Sequence, residues 1–464
     1  MKKLIYILSL CPVVLCAQPN AFEQHNKLAG VSLLNASQAQ VITLDSCKQL
    51  ALQNNHKIRE AELQVRAADQ QKREVFTNFF PKVSAAAFAF RTSDYLMKIE
   101  TPQMNLPVWD GKNPAQLVNP TQFAYFPALS IGLVDYMNTA AVTVALPVYA
   151  GGRIRRGYKL ARLGEDVNVY QKKMTSNEVL VQTEELFWTL QSLSQKEKTI
   201  LSYQQMLDTL YRDVNNYSKA GLAQKNDVLK VQLKQNELKT SLLKLKNGIN
   251  LTRRALCQHI GLPYDSALIF AASPDMQLAA VVFQDPEQLV KNRSEYHLLN
   301  KVVEVKQVQK KLSAGEYMPQ LSLVGAGFTY NVMNKTTNNA LGMVSLNVPI
   351  TDWWAGIHKI NKQELEVRQA QSALQENTEL LVLQIRQAAN EVEESHYQIG
   401  VSQLSVSQAR ENLRISQDNY KAGIIGISDL LEAEAVLQQA KDEFIDAQCQ
   451  FRNKYAKYKL MTGE

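Results

Sequence analysis

The chain is written twice, and that duplication limits its fold more than any other feature. Pro147, Gly221, Asp227 and Gly261 each recur 202 positions later, as Pro349, Gly423, Asp429 and Gly463. Asn54 and Pro81 recur 238 positions later, as Asn292 and Pro319. The two offsets differ by 36 residues, the extra length of a Pro-rich stretch in the first copy. Each copy reads as helix, strand, loop, strand, long helix, tip and long helix, so one supersecondary unit is used two times.

The long helices set the scale. Val228, Val231, Gln235, Leu238, Leu242, Leu245, Ile249, Thr252 and Leu256 alternate by three and four residues, the spacing of a coiled-coil seam. Leu430, Ala433, Leu437, Ala440, Phe444, Ala447 and Phe451 continue that seam in the second copy. A helix from Arg153 to Tyr217 would extend on the order of 100 Å, a rod rather than a globular core. The rods turn at Ala220-Gly221-Leu222 and Ala422-Gly423-Ile424, with an Asp six positions after each Gly. Gly suits the left-handed residue that ends one helix, and Asp the first turn of the next, where free N–H groups favour negative charge.

Predicted boundaries follow from these signals. Residues 1–17, with Lys2, Lys3 and an apolar run from Leu4 to Leu15, pattern as a secretory signal peptide. Residues 18–42 form an N-terminal extension. The first copy occupies 43–260, with strands near 82–91 and 139–148 and a tip at 218–227. A connector spans 261–284. The second copy occupies 285–464, with strands near 320–330 and 342–350 and a tip at 420–429. The stretch from Thr92 to Asp135 holds five prolines and reads as a loop.

Beyond the signal peptide no apolar run is long enough for a membrane-spanning helix, so a membrane crossing would require strands in a closed barrel. The strands suit that role. Val142, Val144 and Leu146, and 202 positions later Val344, Leu346 and Val348, make an apolar face; Thr143, Ala145, Ser345 and Asn347 make a small or polar one. A soluble two-sheet domain would use similar strands. Four strands cannot enclose a useful bore, so a channel requires several chains.

Other chemistry is not indicated. Charges are interspersed, with no basic block of the kind that binds nucleic acid. Cys47, Cys257 and Cys449 are odd in number and distant in sequence, the pattern of core thiols. The six histidines show no metal-ligand spacing, and no nucleophile–base constellation stands out; neither an enzyme nor a cofactor is expected.

The duplicated Phe80-Pro81 and Met318-Pro319 strand starts, the Leu146-Pro147 and Val348-Pro349 strand ends and the two Gly-x5-Asp tips resemble the TolC-like outer-membrane efflux proteins. The resemblance covers nearly the whole mature chain. It implies a mainly α protein with a small β part: a homotrimer whose duplicated coiled-coil helices form an α-barrel and whose four strands per chain build a 12-stranded transmembrane β-barrel. It implies an outer-membrane location with a large periplasmic portion. It also implies an exit duct for tripartite efflux or type I secretion, partnered by a periplasmic adaptor and a proton-driven or ATP-driven inner-membrane pump. Carried over by position, Asp429 and Glu432 would form an acidic ring at the tunnel entrance, and Tyr420 and Asp227 would link neighbouring helices to close it. Ala220, Gly221, Leu222, Ala422, Gly423 and Ile424 would dock the adaptor. A third linking position, an Arg in the family's best-known member, is Ile425 here. The glycines equally serve plain turn geometry, and Asp429 a helix cap. The alternative class is a periplasmic coiled-coil adaptor or scaffold, though such a chain needs only one hairpin.

Overall fold

The computed structural model describes residues 41–463 apart from 110, 113, 115–117, 266–267, 272–283 and 333–334. The signal peptide, nearly all of the N-terminal extension and much of the connector lie outside the described residues.

The first copy opens with β1 (Val41–Ile42), α1 (Leu44–Asn54) and α2 (His56–Phe76). The periodicity of Leu44 to Phe79 suggests a single helix, but Asn55 breaks it. Its side chain accepts from the Lys57 N–H at 2.9 Å, capping α2, and donates to the His259 carbonyl at 2.8 Å. His259 Nε2 lies 3.1 Å from the Val179 carbonyl, which can only accept, so that nitrogen carries the ring proton. Burial lowers the pKa of His259, which favours the neutral ring.

Strand β2 (Lys82–Arg91) comes next, then β3 (Lys98–Thr101), β4 (Met104–Pro107), β5 (Phe123–Phe126), β6 (Leu129–Gly132) and β7 (Tyr136–Ala150). The rods are α3 (Arg153–Lys219) and α4 (Lys225–His259). Strand β8 (Ile269–Phe270) pairs parallel with β1. The second copy comprises α5 (Pro286–Leu289), α6 (Ser294–Glu316), β9 (Gln320–Val332), β10 (Lys335–Asn347), α7 (Asp352–Lys421) and α8 (Ile427–Thr462). At the start of α5, Asp285 accepts from the Glu287 N–H at 3.1 Å and Pro286 takes the first helical position.

The main sheet is antiparallel, in the order β10-β9-β7-β2. Strands β2 and β10 are its edges and have no strand partner on their outer sides among the described residues. Two expectations need correction. Strand β10 begins at Lys335, not near Gly342, because Lys335 to Leu341 pair residue by residue with Ala326 to Val332. The Pro-rich stretch is not irregular throughout: β3 pairs with β6 and β4 with β5, continuing the β2–β7 hairpin outward as two short ribbons. Its prolines fall between the strands or, as Pro107, at a strand end, where a missing N–H breaks no ladder.

Register identifies the faces, since directly paired residues share one. Val144 sits between Val83 and Gly325, and Leu323 between Leu146 and Val344, giving one continuous apolar face at the helix end of the sheet. Toward the ribbons that face turns polar, with Asn138 paired to Asn331. There the other face carries Phe88 stacked on Phe90 and Phe328 on Tyr330. The apolar side thus changes midway along the strands.

The rods pack in a fixed series. Helix α3 contacts α4 on one side and α8 on the other, and α8 pairs with α7. All nine seam positions of α4 are buried or half-buried. Around the middle of the molecule Cys47, Val179, Phe187, Trp188, Leu256 and Ile260 form a core in which Cys47 and Cys257 come together. Burial, with Cys257 nearby, pushes the Cys47 thiol up to about 12. Across the copies, Lys196 pairs with Asp446 at 2.6 Å, and the Arg452 guanidinium lies 3.9 Å from the Trp188 ring centroid.

Candidate functional site

The two tips are the same turn built twice. The Leu222 N–H donates to the Tyr217 carbonyl at 2.8 Å, and the Ile424 N–H donates to the Asn419 carbonyl at 2.8 Å. With Gly221 at φ +76° and Gly423 at φ +73°, each is a Schellman closure, which needs a left-handed residue after the helix end. A Cβ on either glycine would meet nothing within 4 Å, so its constraint is conformational, not steric. Ala220, Gly221, Leu222, Ala422, Gly423 and Ile424 are all exposed, Leu222 at 77% and Ile424 at 71%.

The two Asp residues do different work. Asp429 accepts from the Gly426 N–H at 3.2 Å and caps α8. Asp227 occupies the same position in α4 but lies 3.9 Å from the Lys230 ammonium. Glu432 is exposed one turn beyond Asp429. Tyr420 is half-buried against the cluster under the tips, and burial followed by Asp227, Tyr217 and Asp213 raises its pKa. Tyr420 and Asp227 are therefore brought into each other's field, while Ile425, in the turn after Tyr420, is half-buried.

Beneath the tips Leu207, Leu210, Val214, Val228 and Val231 of the first hairpin pack with Ile427, Leu430 and Leu431 of the second. The Lys230 Nζ donates to Ser428 Oγ at 2.8 Å, joining α4 to α8. Sequence reasoning missed Lys230; a basic residue between the first two buried seam contacts after the tip, Val228 and Val231, would have been the signal. It also missed Glu434, which is 3% exposed on α8. Gln417 hydrogen-bonds its carboxyl, Oε2 has no partner, and burial raises its pKa to about 7. The buried Tyr203 hydroxyl of α3, also without a partner, feels its charge.

Among the described residues no helix is long and apolar enough to cross a membrane, and no group of His, Cys, Asp and Glu could hold a metal ion. The exposed apolar face of the four-stranded sheet is the feature suited to lipid, with Val344 at 66% and Leu346 at 65% exposure.

Comparison with known proteins agrees with this anatomy. Residues 301–464 match the family described as outer membrane efflux protein. No curated protein matches the sequence at comparable significance. Among solved structures, the outer membrane protein VceC of Vibrio cholerae is 14% identical and aligns over 90% of this chain and 96% of its own, with a TM-score of 0.70. The CmeC outer membrane channel of Campylobacter jejuni gives 15% identity, 90% and 85% coverage and a TM-score of 0.72. The open state of the MtrE outer membrane channel of Neisseria gonorrhoeae gives 15%, 90% and 89%, and 0.70. The matched family and these neighbours are channels rather than enzymes. Over its last third the chain matches the outer membrane efflux protein family, and over nine-tenths of its length it has the fold of the outer-membrane channels it is similar to.

Proposed function

We propose that the protein is the outer-membrane exit duct of an efflux or secretion assembly, built as a homotrimer and opened at its periplasmic tips. The observation that carries this reading is the four-stranded sheet with both edges unpaired among the described residues, set on two rods with matching tips. A lone sheet of this kind would leave two rows of backbone donors and acceptors unmet in lipid. Three copies joined β2 to β10 make twelve strands and remove every edge. The rods then extend away from the membrane as a tube, with the tips at its entrance.

In the closed state the entrance is held by the apolar cluster joining the two hairpins and by the Lys230–Ser428 hydrogen bond, with Tyr420 and Asp227 close by. This arrangement replaces a linking Arg with packing. Asp429 and Glu432 from three chains would place six carboxylates near the opening and favour cations. The exposed Leu222 and Ile424 tips are the surface for a periplasmic adaptor, which couples the duct to a pump. The lipid-type face of the sheet disfavours the scaffold reading, which gives those residues nothing to do.

Purified protein reconstituted in planar bilayers should form cation-selective pores, with a detergent-corrected mass of three chains. A well-folded single chain that forms no pores would overturn the reading. Cysteines placed at Gly221 or Gly423 should crosslink an adaptor in cells; crosslinks only among copies of this chain would remove the docking role.

A further inference from the structure

The four crossings between rods and sheet lie along one edge of the sheet, and positive charge collects there. Within twelve residues of a strand end on the helix side (70–81, 151–162, 308–319 and 348–359), ten Lys and Arg stand against three Asp and Glu. That surplus of seven equals the formal charge of the entire 464-residue chain, so the rest of the protein balances. Contacts tie the four segments into one collar. Phe76 of α2 meets Tyr158 of α3 with ring centroids 5.6 Å apart. Arg156 of α3 donates to the Lys311 carbonyl of α6 at 2.6 Å, and Lys359 of α7 pairs with Glu316 of α6 at 2.6 Å.

Farther down the rods the cations are matched: Lys172 with Glu62, Lys301 with Asp166 and Lys306 with Glu366. In the collar Arg153, Arg155, Arg162 and Lys311 are exposed and have no carboxylate in ion-pair range among the described residues. Arg153, Arg155 and Lys311 sit within about 8 Å of the sheet ends of their helices. Like charges gathered this way repel one another unless an anionic surface faces them.

An independent observation concerns apolar surface. On the same edge Trp354 is 77% exposed, Ile350 65% and Phe80 54%. Register carries the apolar face of the sheet down to this level, since Leu321 pairs with both Leu346 and the exposed Tyr149. Exposed aromatic and aliphatic side chains set among Arg and Lys are the composition of a membrane–water boundary.

We propose that this collar docks the anionic phospholipid headgroups of the leaflet from which the rods emerge. Its cations gain from the negative surface potential, which acts within a Debye length of the headgroups. Trp354, Ile350 and Phe80 enter the boundary between headgroup and acyl chain. A lipid surface, rather than free phosphate, is the partner because apolar side chains accompany the charges. The inference rests on the outer-membrane placement proposed above and not on conduction.

The test follows thermal unfolding of the full chain in detergent micelles doped with phosphatidylglycerol, with phosphatidylcholine and inorganic phosphate as references. A saturable rise in Tm with phosphatidylglycerol, absent with either reference and shrinking as salt rises, is expected. Arg153→Gln, Arg155→Gln and Lys311→Gln together should weaken the apparent affinity about a hundredfold, roughly fivefold per charge. Trp354→Ala, which alters no charge, should weaken it too. Removing as many charges toward the tips, at the exposed Lys239, Lys244 and Lys246, should leave it unchanged. Equal responses to the two lipids would overturn the proposal and leave the duct reading intact. A collar variant that keeps the native affinity, or a tip variant that loses as much, would do the same. So would a change of pore ion selectivity with an unaltered lipid response, since the arginines would then face the lumen. A chain that folds and stays soluble without detergent would break the membrane placement, and this inference with it.

Discussion

The two copies of the repeat agree in backbone and differ in side chains. Their tips close with the same hydrogen bonds at the same spacing, and their rods end on left-handed glycines, Gly261 and Gly463, beside Asn54 and Asn292. Yet a Cβ on Gly261 would come within 2.4 Å of the Asn54 Cβ, while one on Gly463 would stay 3.8 Å from Asn292. Position 232 is Gln, donating to the Tyr211 hydroxyl at 3.1 Å; its counterpart 202 residues on is the buried, half-satisfied Glu434. The first copy spends its extra length on the ribbons β3 to β6, and the second joins its strands almost directly. What duplication kept is the geometry of ends and turns. What it released is the polarity beneath them.

The largest expected effect separates the two rod ends. Gly261→Ala combines a left-handed Cβ with a clash, and should lower unfolding stability by about 2–5 kcal/mol. Gly463→Ala carries only the backbone penalty, about 1–3 kcal/mol. Denaturant midpoints should rank them in that order; equal losses would mean the two ends are packed alike. The strand faces come next. Val144→Arg should reduce barrel assembly, at a cost of about 2–4 kcal/mol on a lipid-facing site. Thr143→Arg should assemble and alter ion selectivity. Phe88→Arg tests the exchange of apolar faces, since Phe88 shares the face of Thr143: failure to assemble would show that the outer half of the sheet turns its aromatic side to lipid.

A third comparison copies one repeat into the other. Glu434 has a folded pKa of about 7, raised above the ordinary 4.5 mainly by burial. A raised carboxyl contributes stability that is complete below the unfolded pKa and is lost as pH climbs through the folded one. Packing of α8 against Tyr203 and Gln417 should therefore weaken between about pH 5 and 8. Glu434→Gln should flatten that dependence and raise stability at pH 8 by on the order of 3 kcal/mol. A Tm profile unchanged by the substitution would exclude the carboxyl as its source. The smallest effect compares the tips: Asp429→Asn should weaken its contact to the Gly426 N–H and lower Tm by the equivalent of roughly 1 kcal/mol. Asp227→Asn should cost less in stability and show itself instead in pore conductance.

The duplication, the rods and the tips were legible because glycine position and seam spacing are local signals that the tertiary structure reuses. The α1–α2 break was not, because Asn55 earns its cap only when the distant His259 carbonyl reaches it. The early start of β10 was hidden by Asn338 and Asn339, which disfavour strands and are held in the ladder by pairing with β9, and by the polar character of Thr336 and Thr337 before them. The ribbons escaped notice because prolines punctuate them, although Ile99 opposite Ile131 and Thr101 opposite Leu129 make a clear apolar face. At the tips, the cap role of Asp429 was legible from its place after the glycine, whereas Lys230 and Glu434 are set by a partner nearly two hundred residues away or by burial.

The central core around Phe187 and Trp188 has a mechanical consequence. From there to the tip, α3 runs a further stretch of about 50 Å, packed against α4 and α8. A swing of about 5° about that fulcrum moves the tip by roughly 4 Å, close to the width of a side chain. Leu222 and Ile424 therefore sit at the long arm of a lever, where a displacement works against the apolar cluster that joins the hairpins with the greatest leverage.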